Sequence, residues 1–366
     1  MLRRLDIENF KCYAKSSVEL GGLTVLAGAN GTGKSTIIQA LLVVRQSLIG
    51  ERPKIGDQAP LNGRLVRLGT MLDVMPGFLT GRDAKRVSLR LVLDDGEVVL
   101  GMERKESDDD NFSAHVSDFS ATAESFGSAG FVFLSADRVG PQISYPIPEE
   151  SLVNLYGNRG DYAVNILDLF SGKPLGNRRI VELSGENEND TLLGQLNSWM
   201  GEISNGIRVS TRRHDDIGQV ALSYSFWNGS TWSKEYSPVN VGFGFSHVLP
   251  IYVALLRAMP GDIVIVENPE AHLHPSGQTA MGRFLSCVAS SGVQVIVETH
   301  SEHVLDGMRL AVKKGDIPCE SMAVRFVTSG NCGAQIYKPK VMPSGRMDIW
   351  PEGFFDEYEK VQMQLF

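Results

Sequence analysis

Gly28-Ala29-Asn30-Gly31-Thr32-Gly33-Lys34-Ser35 matches the pattern G-x-x-x-x-G-K-[ST], and its flanks are those the pattern needs. Upstream, Leu23-Thr24-Val25-Leu26 reads as a short apolar strand; downstream, Ile37, Ile38, Leu41, Leu42, Val44 and Leu48 recur at helical spacing with no glycine or proline between Ser35 and Leu48. Strand, glycine loop and helix in that order make a phosphate cradle: the glycines let backbone N–H groups turn inward, and the helix N-terminus adds positive dipole. Lys34 is expected to reach the β- and γ-phosphates of a nucleotide, the Ser35 hydroxyl to bind Mg²⁺, and Thr36 to add a phosphate contact. Ala29, Asn30 and Thr32 complete the loop. A chance glycine turn would not be expected to carry both flanks.

Ahead of this stretch, residues 2–20 place Leu5, Ile7, Phe10, Val18 and Leu20 in an alternation that predicts a hairpin leading into the apolar strand. From about residue 51 to 240 the pattern is β-rich. Val87 to Leu93 and Glu97 to Leu100 flank a turn at Asp95-Gly96 and read as a meander. Phe131 to Leu134 reads as a buried strand, Asp190 to Met200 as a helix, and Val220 to Trp227 as a strand turned back at Asn228-Gly229. Beyond 240 an α/β rhythm returns, with a helix over about 246–258, a strand from Asp262 to Val266, a helix over about 276–290 and a strand from Val293 to Val297. The expected division is therefore a discontinuous core of residues 1–50 and 241–330, a β-rich and helical insertion over 51–240, and a tail over 331–366.

The totals set bounds on function. The 366 residues are 42% hydrophobic and 21% charged, so a core can be buried and disorder is not expected. A net charge of −8 argues against a protein that coats nucleic acid with bulk positive charge. Local basic clusters remain, at Arg82-Lys85-Arg86, Arg178-Arg179 and Arg212-Arg213-His214, so DNA or RNA stays open as a partner. Cys12, Cys287, Cys319 and Cys332 contain no CxxC pair and fit reduced thiols in a cytoplasmic protein. The most apolar stretch, Val248 to Val266, is broken by Pro250, Arg257, Pro260, Gly261 and Asp262, so no membrane partner is expected. Asp108-Asp109-Asp110 reads as a solvated turn.

A phosphate loop needs an acidic residue at the end of a neighbouring strand to hold hydrated Mg²⁺. Ile263-Val264-Ile265-Val266-Glu267 supplies one, followed by Asn268-Pro269-Glu270-Ala271-His272-Leu273-His274-Pro275 and later by Val297-Glu298-Thr299-His300-Ser301. Together with Ile7-Glu8-Asn9-Phe10-Lys11 and the closing Trp350 to Asp356, these segments resemble the ABC-class ATPases of RecF, SMC heads and the OLD-family proteins. The resemblance implies an α/β P-loop NTPase of ABC-ATPase head type, carrying a β-rich insertion between the halves of its core, with ATP and Mg²⁺ as ligands.

By that resemblance, Glu267 takes the Walker B magnesium position and His300 the switch-histidine position that senses the γ-phosphate. Most relatives follow the Walker B acid with a glutamate that polarises water. Asn268 stands there instead and carries no basic carboxylate, so Glu270 is the alternative base. Gly242, Gly244 and Ser246 occupy the place of the signature loop, which in the family binds ATP held by the opposite subunit of a head-to-tail dimer. His272 and His274 alternate beside Glu270, but two imidazoles alone do not close a metal site.

About 66 residues follow His300, and no D-x-D pair of a Toprim nuclease occurs among them. Any nuclease is thus expected on a separate chain. The expected function is an ATP-hydrolysing switch, closing as a homodimer or higher homo-oligomer and controlling a separately encoded effector or nuclease, in prokaryotic genome maintenance or antiphage defence. An ATP-loaded scaffold and a nucleic-acid clamp, each with little hydrolysis, are the alternatives.

Overall fold

The computed structural model describes residues 1–49, 57–58, 61–77, 86–104, 112–117, 126–127, 130–148, 156–175, 190–204, 206–330 and 333–365. Arg82, Lys85, Asp108 to Asp110, Arg178, Arg179 and Cys332 lie outside the described residues. Two compact units emerge, the first from Met1–Ala129, Glu320–Val341 and Met347–Phe366, the second from Gly130–Cys319 and Met342–Arg346.

The first unit opens on the expected hairpin, β1 (Leu2–Phe10) and β2 (Tyr13–Glu19), with Leu2, Leu5, Ile7 and Phe10 buried. β3 (Leu23–Gly28) follows, then α1 (Lys34–Ser47), which matches the apolar spacing of its sequence. Next come β4 (Asp57–Gln58), α2 (Met71–Val74), β5 (Arg86–Leu93), β6 (Gly96–Arg104) and β7 (Phe112–Ser117). β5, β6 and β7 form the expected antiparallel meander. They do not stand alone: β5 also pairs with β1, giving one antiparallel sheet in the order β2-β1-β5-β6-β7-β4. Val87, Leu89 and Leu91 alternate inward on β5, so its buried face continues that of the opening hairpin.

In the second unit, β8 (Phe131–Leu134) and β9 (Tyr145–Pro146) precede α3 (Ala163–Phe170), α4 (Leu192–Ile203), β10 (Ile207–His214) and β11 (Gln219–Phe226). There follow α5 (Phe243–Arg257), β12 (Ile263–Glu267), α6 (Pro275–Ser290), β13 (Gln294–Glu298) and α7 (Glu302–Lys314). β13, β12 and β8 run parallel, in that order. Val264, Ile265, Val266, Val295, Ile296 and Val297 are fully buried, the unbroken apolar reading of a strand covered on both faces. β10, β11 and β9 make a separate antiparallel sheet. Trp199 of α4 and Tyr252 of α5 both pack on Phe284 of α6, with ring centroids 4.8 and 4.5 Å apart.

The chain then returns to the first unit with β14 (Met322–Gly330), parallel to β3, and β15 (Gly333–Tyr337), antiparallel to β14. α8 (Glu357–Leu365) ends it. Two helix starts differ from the sequence reading. The helix expected over 190–200 begins at Leu192, where Thr191 accepts the Gly194 N–H as N-cap. The helix expected from 246 begins at Phe243, with Gly242 as N-cap and Gly244 inside the first turn. Among the described residues no helix is long and apolar enough to cross a membrane.

Candidate functional site

In the first unit the phosphate loop sits at the C-terminal end of β3. Gly28 and Gly33 adopt φ of 143° and 115°, values that L side chains rarely take. A Cβ at Gly28 would lie 2.2 Å from the Val327 carbonyl oxygen on β14, and one at Gly33 would lie 2.5 Å from the Cys12 sulfur. Both positions therefore require glycine on two counts. The Thr32 hydroxyl and the Lys34 ammonium each donate to the Ala29 carbonyl, at 2.9 and 2.7 Å, which closes the loop on itself. Tyr13 of β2 donates its hydroxyl to the Gly33 carbonyl at 3.1 Å. Lys34 is only 3% exposed, while Ala29, Asn30, Gly31 and Ser35 face outward and Thr36 is buried. An ammonium fixed under an exposed glycine turn, with a hydroxyl beside it at a helix N-terminus, fits a nucleotide phosphate and its cation.

In the second unit β12 ends on Glu267, level with Glu298 of β13. One Glu267 carboxylate oxygen accepts the Ala136 backbone N–H at 3.0 Å. The other accepts no hydrogen bond among the described residues, which suits it to a hydrated cation. Burial raises the Glu267 pKa, opposed by the Ala136 N–H and by the positive charge of Arg138. Asn268 takes a left-handed φ of 45° and donates its backbone N–H to the Glu298 carbonyl at 2.8 Å. Its side-chain oxygen is buried and accepts no hydrogen bond among the described residues. Glu270 accepts from the Thr299 hydroxyl at 2.7 Å and from the His300 backbone N–H at 2.8 Å. Thr299 in turn accepts the Ser301 N–H, and Ser301 caps α7 through the Val304 N–H. His300 is exposed.

Of the signature-like residues, Gly242 is exposed, whereas Ser246 is 4% exposed with its hydroxyl beside those of Tyr145 and Tyr224. Gly244 packs where a Cβ would come within 2.5 Å of the His272 carbonyl. Nearby, His247 is buried with neither ring nitrogen hydrogen-bonded among the described residues. Burial lowers its pKa to about 3, helped by the charges of Arg138 and His272. His274 serves as N-cap of α6, accepting from Ser276. No cluster of three metal-ligating side chains occurs among the described residues.

Arg138, Ala136, Thr299 and His247 escaped the sequence reading. Local pattern gives no sign that Arg138, four residues past an apolar strand end, is only 3% exposed. Thr299 stood inside a recognised motif, yet its partner Glu270 lies 29 residues away. The basic cluster on β10 is partly spent on the fold: Arg213 binds Asp168 at 3.5 Å and Asp215 at 2.6 Å and donates to Asn165.

A closed glycine loop between a parallel strand and a helix, in a chain with acidic strand ends of this pattern, has the fold of a P-loop NTPase. The chain belongs to the AAA-domain family described as "AAA domain, putative AbiEii toxin, Type IV TA system", whose model matches residues 23–306. Residues 320–365 match a second model, "Protein of unknown function (DUF3696)". A stretch of 44 residues is 46% identical to the OLD nuclease of Thermus scotoductus, covering 12% of this chain and 8% of that protein. The fold is similar to an SMC head bound to the C-terminal winged-helix domain of ScpA, with TM-score 0.52, 15% identity and coverage of 93% of this chain and 98% of that one. It is also similar to an SMC head with an extended coiled coil bound to the C-terminal domain of ScpA from Pyrococcus furiosus, with TM-score 0.50, 13% identity and coverage of 100% and 99%.

Proposed function

We propose that this protein is an ATP-binding and ATP-hydrolysing switch that closes as a head-to-tail homodimer and controls a separately encoded partner. The observation that carries the reading is the buried Lys34 ammonium held to the Ala29 carbonyl under an exposed glycine turn. In this reading Lys34 and the loop from Gly28 to Thr36 hold the phosphates, while Ser35 and Glu267 hold Mg²⁺, which neutralises phosphate charge. Glu270 and Asn268 orient the attacking water, His300 senses the γ-phosphate, and the exposed Gly242 meets the nucleotide of the second copy, with Gly244 and the buried Ser246 shaping the turn behind it. Residues 1–50 and 241–330 act as the ATPase core, 51–240 as the insertion lobe and 331–366 as the transmitting tail.

Support for a protein partner comes from the SMC heads named above, which are bound to ScpA domains. The OLD nuclease match and the family description favour genome maintenance or antiphage defence. A second reading, an ATP-loaded scaffold, is favoured by Asn268, which has no carboxylate to accept a proton. A nucleic-acid clamp is the weaker third, because Arg213 is already engaged by Asp168 and Asp215.

Steady-state Mg²⁺-ATP hydrolysis at several protein concentrations tests the proposal. Turnover rising more than linearly, and lost in Glu270→Gln, supports composite sites in a dimer. No turnover in the wild type with gain in Asn268→Glu favours the scaffold.

A further inference from the structure

Arg138 lies in the turn after β8 and is 3% exposed, yet among the described residues it forms no ion pair shorter than 4 Å. Its donors go to backbone carbonyls instead. Nε donates to His247 O at 3.0 Å, one terminal nitrogen to Ser135 O at 2.9 Å and Glu267 O at 2.6 Å, and the other to Asn268 O at 2.6 Å. A buried guanidinium is costly unless such bonds satisfy it, and its rigid planar fork fixes the relative positions of whatever it bonds. Here it joins the turn after β8, the acidic end of β12 and the first turns of α5.

Pro250 has no N–H to give the Ser246 carbonyl, so one backbone hydrogen bond is missing in the early turns of an otherwise continuous helix. A shift at Gly242 to His247 therefore meets one missing helix hydrogen bond on its C-terminal side and the Arg138 guanidinium at the His247 carbonyl.

We propose that Arg138 is a positioning residue that couples the start of α5 to Glu267 and Asn268. Contact of a second copy's nucleotide with the start of α5 is transmitted through the His247 carbonyl and the guanidinium to the carbonyls of the residues that hold Mg²⁺ and water. The coupling rests on the proposed ATPase switch and deepens it.

The test is hydrogen–deuterium exchange of the full chain with and without Mg²⁺-ATP, in the wild type and Arg138→Lys, alongside nucleotide affinity and turnover. Lysine keeps the charge but lacks the fork. In the wild type, peptides spanning 243–250 and 266–272 gain protection together. In Arg138→Lys, protection of 243–250 persists while the added protection of 266–272 is lost, kcat falls on the order of tenfold or more, and ATP affinity stays within about twofold because Lys34 is untouched. Both peptides responding in Arg138→Lys as in the wild type overturns the coupling. If the variant does not fold, wild-type protection of the two peptides is followed against protein concentration: a shared midpoint supports the coupling, and separate midpoints overturn it. Failure of the wild type to bind Mg²⁺-ATP overturns the proposed function itself, whereas binding with independent peptide responses overturns only the coupling.

Discussion

The Glu270 carboxylate accepts the His300 backbone N–H at 2.8 Å, locking the loop after β12 to the loop after β13. With the Thr299 hydroxyl on its second oxygen, Glu270 is engaged at both ends. A carboxylate has about four lone-pair sites, so these two bonds leave acceptor capacity for a water. Glu270 thus combines a fixed position with free acceptor capacity, the combination that the proposed water-orienting role requires.

Glu270→Gln is expected to lose one of the two bonds, because an amide offers one acceptor oxygen and turns its NH₂ toward a donor. The loss should cost about 1–3 kcal/mol of stability in denaturant unfolding. Thr299→Val should cost a similar amount, and the double variant less than the sum, since both remove the same contact. Strict additivity would show that the two residues do not act together.

Lys34→Ala removes the ammonium that spans the phosphate loop. Titration with a fluorescent ATP analogue should show affinity reduced by about tenfold or more, the scale of losing a charge-assisted bond to phosphate, about 1.5–3 kcal/mol. An unchanged affinity would remove the nucleotide from this loop.

At Asn268 the left-handed φ of 45° is tolerated by Asn and Gly better than by longer side chains. Asn268→Glu should therefore lower stability by about 1 kcal/mol, while Asn268→Gly stays within about 1 kcal/mol of the wild type. Equal melting temperatures for the Glu variant and the wild type would argue against strain at this position.

His247 carries a pKa lowered to about 3 in the folded chain, whereas an unfolded histidine titrates near 6.5. Its contribution is fully present above pH 6.5 and is lost as pH falls toward 3, because only the unfolded state takes up the proton. The slope for this one group is at most about 1.4 kcal/mol per pH unit. Urea unfolding of His247→Phe between pH 4 and 7 should show a flatter acid limb than the wild type; parallel curves would assign the acid sensitivity elsewhere.

Gly244→Ala places a methyl 2.5 Å from the His272 carbonyl. The start of α5 should be pushed from the loop after β12, with stability lower by about 1–3 kcal/mol in thermal unfolding. A variant as stable as the wild type would mean that this loop yields without cost.

Local chemistry made the phosphate loop legible, since glycines, lysine and hydroxyl act within eight consecutive residues flanked by a strand and a helix of clear period. β12 and β13 were equally legible as apolar runs ending in acids. The first turn of α5 was not, because Gly244 has low helix propensity and only packing against His272 places it inside a helix. The pairing of β5 with β1 escaped for a related reason: alternation shows which face of a strand is buried but not which neighbour it joins.

From sequence alone came the class of fold, the phosphate loop and the acidic strand ends, because each depends on backbone periodicity and on residue types a few positions apart. Tertiary structure alone decided that Arg138 is buried among four carbonyls, that Glu270 is bonded to Thr299 and His300, and that Ser246 faces two tyrosines. Those partners lie up to 130 residues apart along the chain. Hydrogen bonds over such separations have no local signature, because they depend on which buried donors and acceptors the packed core leaves facing one another.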